Sequence, residues 1–167
     1  YHRVMELLPL ETAMRKEQLT MILDEFVQSG TLRPQEREVV SEYKLWKFLN
    51  STIGKKMQIA AKQGKLHREQ PFVLGMEAKE IYPETGSDEC LLVQGIIDVY
   101  FEEEDGLVLL DYKTDKAFAT QELVDKYKAQ LDYYAKALER LTGKKVKEKL
   151  IYSFALAEEI EEAMAEG

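Results

Sequence analysis

Gly95-Ile96-Ile97-Asp98 and, past an acidic turn, Leu107-Val108-Leu109-Leu110-Asp111-Tyr112-Lys113-Thr114 decide the fold of this chain. The runs Leu91 to Phe101 and Leu107 to Tyr112 are apolar and rich in β-branched residues, and Glu103-Glu104-Asp105-Gly106 between them reads as a hairpin turn. Two antiparallel strands then bring Asp98 and Asp111 together across a ladder. A two-residue turn at Asp105-Gly106 makes paired residue numbers sum to about 211, which sets Asp98 opposite Lys113 and diagonal to Asp111. A four-residue loop makes the sum about 209 and sets Asp98 opposite Asp111. Because side chains alternate with period two, Asp98, Asp111 and Lys113 share one face in either register unless a bulge intervenes.

Two carboxylates converging beside apolar strands repel each other and raise one pKa unless a cation sits between them. A divalent metal with oxygen ligands is the economical answer, and magnesium suits one or two carboxylates with several retained waters. Such an ion polarises a phosphoryl oxygen and lowers the pKa of a water, while a neighbouring Lys113 orients that water or stabilises charge developing on a phosphate. The tripeptide acid-x-Lys carries little information by itself, since it also occurs at Glu42-Tyr43-Lys44 and Glu77-Ala78-Lys79. The first lies in a helical stretch, where i and i+2 point to different faces, and the second lacks a second carboxylate on a paired strand. On pattern alone a metal site for phosphodiester hydrolysis and a solvated hairpin face both remain open.

Outward from the hairpin, helices come first and the sheet second. Val4 to Leu8 reads as a short helix and Arg15 to Gln28 as a longer one, with Leu19, Ile22, Leu23 and Phe26 on one face and Gly30 as its stop. Pro34 opens a helix that the apolar residues Val39, Val40, Tyr43, Trp46, Phe48 and Leu49 carry toward Asn50, and Ser51 caps another to about Gln63. Tyr43, Trp46 and Phe48 are expected in the core. After Gly64 the period changes: Phe72 to Ile81 reads as a strand, followed by the two hairpin strands. Gln121 to Leu141 is an amphipathic helix ended by Thr142-Gly143. Val146 to Ala157 returns as a strand, and Ala155 to Ala165 adds a tail helix.

A length of 167 residues with 45% hydrophobic content suits one domain with one core. Its parts are a helical region at 1–64, a core at 65–157 and the tail at 158–167. The net charge of -8 argues against a free-standing nucleic-acid binder, which carries a basic face. The acidic residues cluster, however, at Glu102 to Asp105 and Glu158 to Glu166. A single cysteine, Cys90, permits no internal disulfide and no thiolate-built zinc or iron-sulfur site, which fits a reducing cytoplasm. Cys90 itself is expected to be structural. No signal peptide or membrane span is visible in these residues.

Gly-x-x-Asp ending at Asp98, Asp111-Tyr112-Lys113-Thr114, and Gln130-Leu131-Asp132-Tyr133-Tyr134 on the following helix together resemble the motif series of RecB-type nucleases in the PD-(D/E)xK superfamily. GLVLLDYKTDK, YKAQLDYYAKALERLTGKKVKEKLIYSF and the opening YHRVMELLPL are most similar to the C-terminal nuclease domain of the AddA subunit of bacterial AddAB helicase-nucleases, and the resemblance covers essentially the whole chain. It implies an α/β restriction-endonuclease-like fold, with a mixed central sheet flanked by helices and an N-terminal helical region. It also implies a metal-dependent exonuclease acting on single strands in double-strand-break processing and recombinational repair.

The resemblance assigns roles to particular residues. His2, at the place of a family histidine on an early helix, would join Asp98, Asp111 and the Tyr112 carbonyl around Mg²⁺, for which Mn²⁺ substitutes. The Gly-Thr that precedes this histidine in the family is absent here. Lys113 would act on the attacking water. Glu69, before Pro71-Phe72, would complete the acidic site by holding a water or orienting a ligand. Gln130 and Tyr134, four apart on a helix, would face the site and contact DNA or steady the hairpin. His67 reads as an ordinary residue at the start of a strand. The resemblance further implies an AddB-type partner, a helicase portion of the same protein that uses ATP, DNA as substrate, a bacterial cytoplasmic location, and no iron-sulfur cluster of the kind the AddB side carries. Two rival readings stand beside it: a degenerate nuclease fold serving as a docking or DNA-binding module, and a stand-alone repair nuclease of the RecB type.

Overall fold

A computed structural model describes residues 1–12, 14–114, 120–155 and 158–161. Five helices come first: α1 (His2–Leu7), α2 (Lys16–Gln28), α3 (Pro34–Val39), α4 (Glu42–Leu49) and α5 (Thr52–Lys62). Then follow β1 (Leu66–Glu77), the short α6 (Ala78–Ile81), β2 (Cys90–Glu103), β3 (Gly106–Lys113), α7 (Thr120–Thr142), β4 (Val146–Ser153) and β5 (Glu158–Glu161). The described strands form one sheet in sequence order, with β3 and β4 parallel and the other neighbours antiparallel. The mixed sheet between helical layers is the restriction-endonuclease-like architecture the resemblance implied. Among the described residues, no helix is long and apolar enough to cross a membrane.

Two apolar layers hold the sheet. Val99, Phe101, Val108, Leu110 and Tyr112 pack with Met5, Leu19, Leu45, Phe48 and Met57 of the N-terminal helices, while Leu107, Leu109, Phe72 and Ile97 pack with Leu131, Tyr134 and Leu138 of α7. The alternation along β3 therefore leaves Asp111 and Lys113 on the α7 side. At 25 cal/mol per Å² such burial stabilises by about 2 kcal/mol per large side chain, which is why α1 to α5 stay in place despite their short lengths.

One position breaks the alternation. Leu66 and Arg68 of β1 and Val99 and Phe101 of β2 face the N-terminal helices, whereas Phe72 and Ile97 face α7. The β1–β2 register is unshifted between Arg68 opposite Val99 and Gln70 opposite Ile97 but skips Glu69 and Asp98, so the turnover falls there. Glu69 has φ +49°, a left-handed conformation that costs a side-chain-bearing residue about 1–3 kcal/mol. The strand pair thus turns over at the residue facing Asp98.

Several sequence expectations change. The pairs Val99–Leu110 and Glu103–Gly106 sum to the smaller register, but through a two-residue turn at Glu104-Asp105 rather than a four-residue loop or Asp105-Gly106. Gly106 is committed elsewhere: at φ +154° it lies against the α7–β4 connection, where a Cβ would sit 2.7 Å from the Lys145 carbonyl. The single helix from Pro34 toward Asn50 is two helices. Val40 is extended and buried, and the Ser41 hydroxyl caps the second helix by accepting from Lys44 N–H at 3.2 Å. Of the expected aromatic core, only Phe48 is buried, while Tyr43 and Trp46 are exposed.

The first strand starts earlier and ends earlier than Phe72 to Ile81. A capping box closes it, because the Glu80 carboxylate accepts from Glu77 N–H at 2.9 Å and starts α6. The tail helix expected over 155–165 is, at Glu158–Glu161, a strand instead, antiparallel to β4. Backbone pairing with the open edge of β4 overrides the helix preference of the glutamates. Residues 156–157 and 162–165 of that expected helix lie outside the described residues.

Glu42 ties the helical layer together. Its carboxylate accepts from Thr20 Oγ1 at 2.5 Å and from the Arg37 guanidinium, joining α2, α3 and α4. The Thr20 bond first and the Arg37 bond second hold it below the usual glutamate range. A carboxylate with a depressed folded pKa adds stability above its unfolded pKa, and the gain disappears as pH falls through the folded value. Glu42→Gln is therefore expected to cost about 1 kcal/mol in urea denaturation near neutrality, with the two proteins converging in acid.

Candidate active site

β2 and β3 part company after the pair Val99–Leu110, and the next residue on each strand into the fork is an aspartate. Asp98 Oδ2 accepts a hydrogen bond from Tyr112 N–H at 2.9 Å, so a carboxylate takes over where the ladder ends. His2, in the first turn of α1, approaches the same oxygen, with Nε2 at 3.2 Å. The Asp111 carboxylate is within hydrogen-bonding reach of Asp98. Lys113 Nζ lies 2.7 Å from Asp111 Oδ2 and donates to Gln130 Oε1 at 3.1 Å, and Gln130 Nε2 donates to the Tyr134 hydroxyl at 3.5 Å.

Charge and burial pull the two carboxyls apart. Burial first, and the negative charge of Asp98 second, push Asp111 up to about 7. Burial also works to raise Asp98, but hydrogen bonds from His2, Asp111 and the Tyr112 amide outweigh it and hold Asp98 below its ordinary value. The His2 imidazole is raised, chiefly by its bond to Asp98. Glu69 is raised as well, by burial and then by Asp98 across the strand pair. The fork is thus an acidic site in which one carboxyl competes with its neighbour for a single proton.

The donor set fits a hard divalent cation. Asp111 Oδ2 is buried, and the Lys113 ammonium stands 2.7 Å from it. That one ammonium does not offset burial and the repulsion of Asp98, which keep the Asp111 carboxyl raised, and a divalent cation between the carboxylates would relieve both. Asp98, Asp111, the Tyr112 carbonyl and the His2 imidazole supply oxygen and nitrogen donors suited to magnesium or manganese. Among the described residues, no three His, Cys, Asp or Glu side chains stand as a ready-made cage. His2 and Asp98, and Lys113 and Asp111, meet each other directly instead.

The sequence-derived residues therefore gather: His2, Asp98, Asp111, Lys113, Gln130 and Tyr134 form one connected set, and Glu69 sits at the register position facing Asp98. The Tyr112 ring turns to the opposite face and is buried against Phe48 and Phe154, as its place between Asp111 and Lys113 requires. Gly95 is bare because a Cβ there would meet Tyr134 Cε1 at 3.1 Å and Phe72 at 3.2 Å. His67 stands apart, stacked on Tyr100 and paired with Glu102 at 3.3 Å. Cys90 is a free, exposed thiol at the start of β2, so it contributes no packing to the core.

Two neighbours escaped the sequence reading. Arg68 Nη1 donates to the Met5 and Leu8 carbonyls at 3.2 and 2.7 Å, fastening the C-terminal end of α1 and so fixing where His2 sits at its other end. Its position beside Glu69 was the available signal. Arg68→Met is expected to cost about 1.5–3 kcal/mol, and amide exchange in α1 should accelerate more than in β3. Tyr127, three residues before Gln130 on α7, places its ring 3.9 Å from the Lys113 ammonium.

Comparison with known proteins bears out the family resemblance. A family model for the PD-(D/E)XK nuclease superfamily matches residues 1–166. The A subunit of an ATP-dependent helicase/nuclease from Clostridium botulinum (strain 657 / Type Ba4) is 40% identical over 159 residues, which are 93% of this chain and 12% of that protein. The protein of the same name from Lachnoclostridium phytofermentans (strain ATCC 700394 / DSM 18823 / ISDg) is 34% identical over 195 residues, covering 96% of this chain and 14% of its own length. The chain thus spans about an eighth of these relatives.

Proposed function

The chain belongs to the PD-(D/E)XK nuclease superfamily, and on that footing we propose that it is the metal-dependent DNA exonuclease domain of an AddA-type helicase-nuclease, cutting single strands in double-strand-break processing. The observation that carries this reading is the convergence of Asp98, Asp111 and Lys113 in the β2–β3 fork, with the buried Asp111 carboxyl raised to about 7 beside Asp98. Asp98, Asp111, His2 and the Tyr112 carbonyl would hold Mg²⁺, with Mn²⁺ as a substitute. When bound, that ion supplies Lewis acidity toward the phosphoryl oxygen and makes a nearby water a better nucleophile.

The chain's own groups perform the rest. Asp111 fixes the Lys113 ammonium on one side and Gln130 fixes it on another, so a cation faces the phosphate position and stabilises the charge that builds there during attack. Water attacks phosphorus and gives up its proton to solvent, the bond to the 3′ oxygen breaks, and that oxygen takes a proton from solvent. Glu69, with its raised carboxyl beside Asp98, orients a water or ligand at the edge of the site.

A net charge of -8 gives the domain little field to capture DNA by itself. In this reading a helicase portion of the same polypeptide, using ATP and working with an AddB-type partner in the bacterial cytoplasm, feeds the strand to the site. The relatives' length and their helicase/nuclease name support it. The test compares labelled linear and circular single strands with Mg²⁺. Loss of label from linear strands alone, stopped by EDTA, is expected; equal cutting of circles would replace the exonuclease reading with an endonuclease one.

A further inference from the structure

The Lys113 ammonium is enclosed on three sides. Asp111 Oδ2 lies 2.7 Å away, Gln130 Oε1 accepts at 3.1 Å, and the Tyr127 ring centroid is 3.9 Å from Nζ. Only 15% of the lysine side chain is exposed. The two oxygens engage two directions of the ammonium and the aromatic face covers another. Tyr127 comes from α7 one turn before Gln130, so a single helix face delivers both contacts. Its ring packs against the apolar layer under α7, and the Lys126 ammonium lies farther off it, at 5.2 Å.

We propose that Tyr127 is a positioning residue that holds the Lys113 ammonium by its ring face; the inference rests on the nuclease reading above. A π face attracts a cation through its quadrupole without carrying a formal charge. A third carboxylate or carboxamide oxygen in that place would turn another N–H away from substrate or neutralise the site. The ring fixes the ammonium and leaves its charge for the phosphate. Holding the ammonium by the face takes only the ring, so phenylalanine should hold it as well as tyrosine.

The experiment uses the 167-residue chain, with single-turnover cleavage of saturating end-labelled single-stranded DNA and Mg²⁺. Tyr127→Phe is expected to stay within about twofold of the wild type, and Tyr127→Leu to fall about tenfold at saturation with unchanged half-saturating DNA. Adding Tyr127→Leu to Lys113→Ala should change nothing further. A second readout needs no activity: the Lys113 ε-methylene resonances should be shifted upfield by the ring in wild type and Tyr127→Phe and relax in Tyr127→Leu. Tyr127→Leu cutting at the wild-type rate, Tyr127→Phe failing as badly as Tyr127→Leu, or an effect confined to half-saturation would overturn the inference. An absent upfield shift in the wild type would overturn it alone, whereas a wild type that is folded, shows the shift and cuts nothing would overturn the nuclease reading and leave Tyr127 no cleavage to assist.

Discussion

Asp111→Asn is expected to raise the melting temperature of the metal-free domain while lowering DNA cleavage by at least about 10³-fold. Asp111 is 5% exposed, and burial together with Asp98 pushes its carboxyl to about 7. A carboxyl raised in the folded state binds its proton more tightly there than in the unfolded chain. Stability is therefore greatest in acid and is lost as pH rises from the ordinary aspartate range through about 7. Above that pH the ionised group costs on the order of 1–3 kcal/mol, even with Lys113 beside it, because desolvation and Asp98 outweigh the ion pair. Asparagine keeps the shape and removes the charge, so the variant should gain that amount in alkaline buffer and match the wild type in acid. Divalent metal should close the gap by stabilising only the wild type. A variant that melts lower than the wild type at every pH would contradict the proposed electrostatic cost.

Phe48→Ala is expected to cost about 3–5 kcal/mol in denaturant unfolding, the largest stability loss of any single change named for this domain. Phe48 is fully buried, with ring contacts to Tyr112 at 5.9 Å, Tyr152 at 4.6 Å and Phe154 at 6.0 Å. It carries α4 onto β3 and β4 beneath the fork. Its removal leaves a cavity between two rigid elements that cannot collapse together, since Gly54 of α5 is already jammed against the Phe48 backbone. The loosened Tyr112 ring shares its residue with the amide that bonds Asp98, so cleavage should fall with stability. Phe48→Leu should recover most of both, and a Phe48→Ala protein as stable as the wild type would show that the aromatic cluster does not anchor the sheet.

Much of this arrangement was legible in the residues. Period-two alternation along Leu107 to Lys113 fixed which face Asp111 and Lys113 share, and counting across the turn left two registers, of which the structure adopts the smaller sum. His2 and Gln130 came from resemblance, since a histidine near the start of the sequence and a glutamine on a helix carry no local signal of their own. The turnover at Glu69 was invisible because a glutamate gives no sign of a left-handed backbone; only its partners Leu66, Arg68 and Phe72, read as facing different layers, reveal it. The strand at Glu158–Glu161 was missed for a related reason: local preference favours helix there, and an unpaired β4 edge decides otherwise. Tyr127 carries no local signal of its own, and only the placement of Lys113 beside its ring gives it a role.

The cation held between Asp98 and Asp111 is the claim on which the functional reading turns, and calorimetric titration of Mn²⁺ into the wild type and Asp111→Asn tests it most directly. Saturable binding by the wild type, absent or at least about 100-fold weaker in the folded variant, is the predicted result. Equal binding by both proteins, or none by a folded wild type, would contradict it.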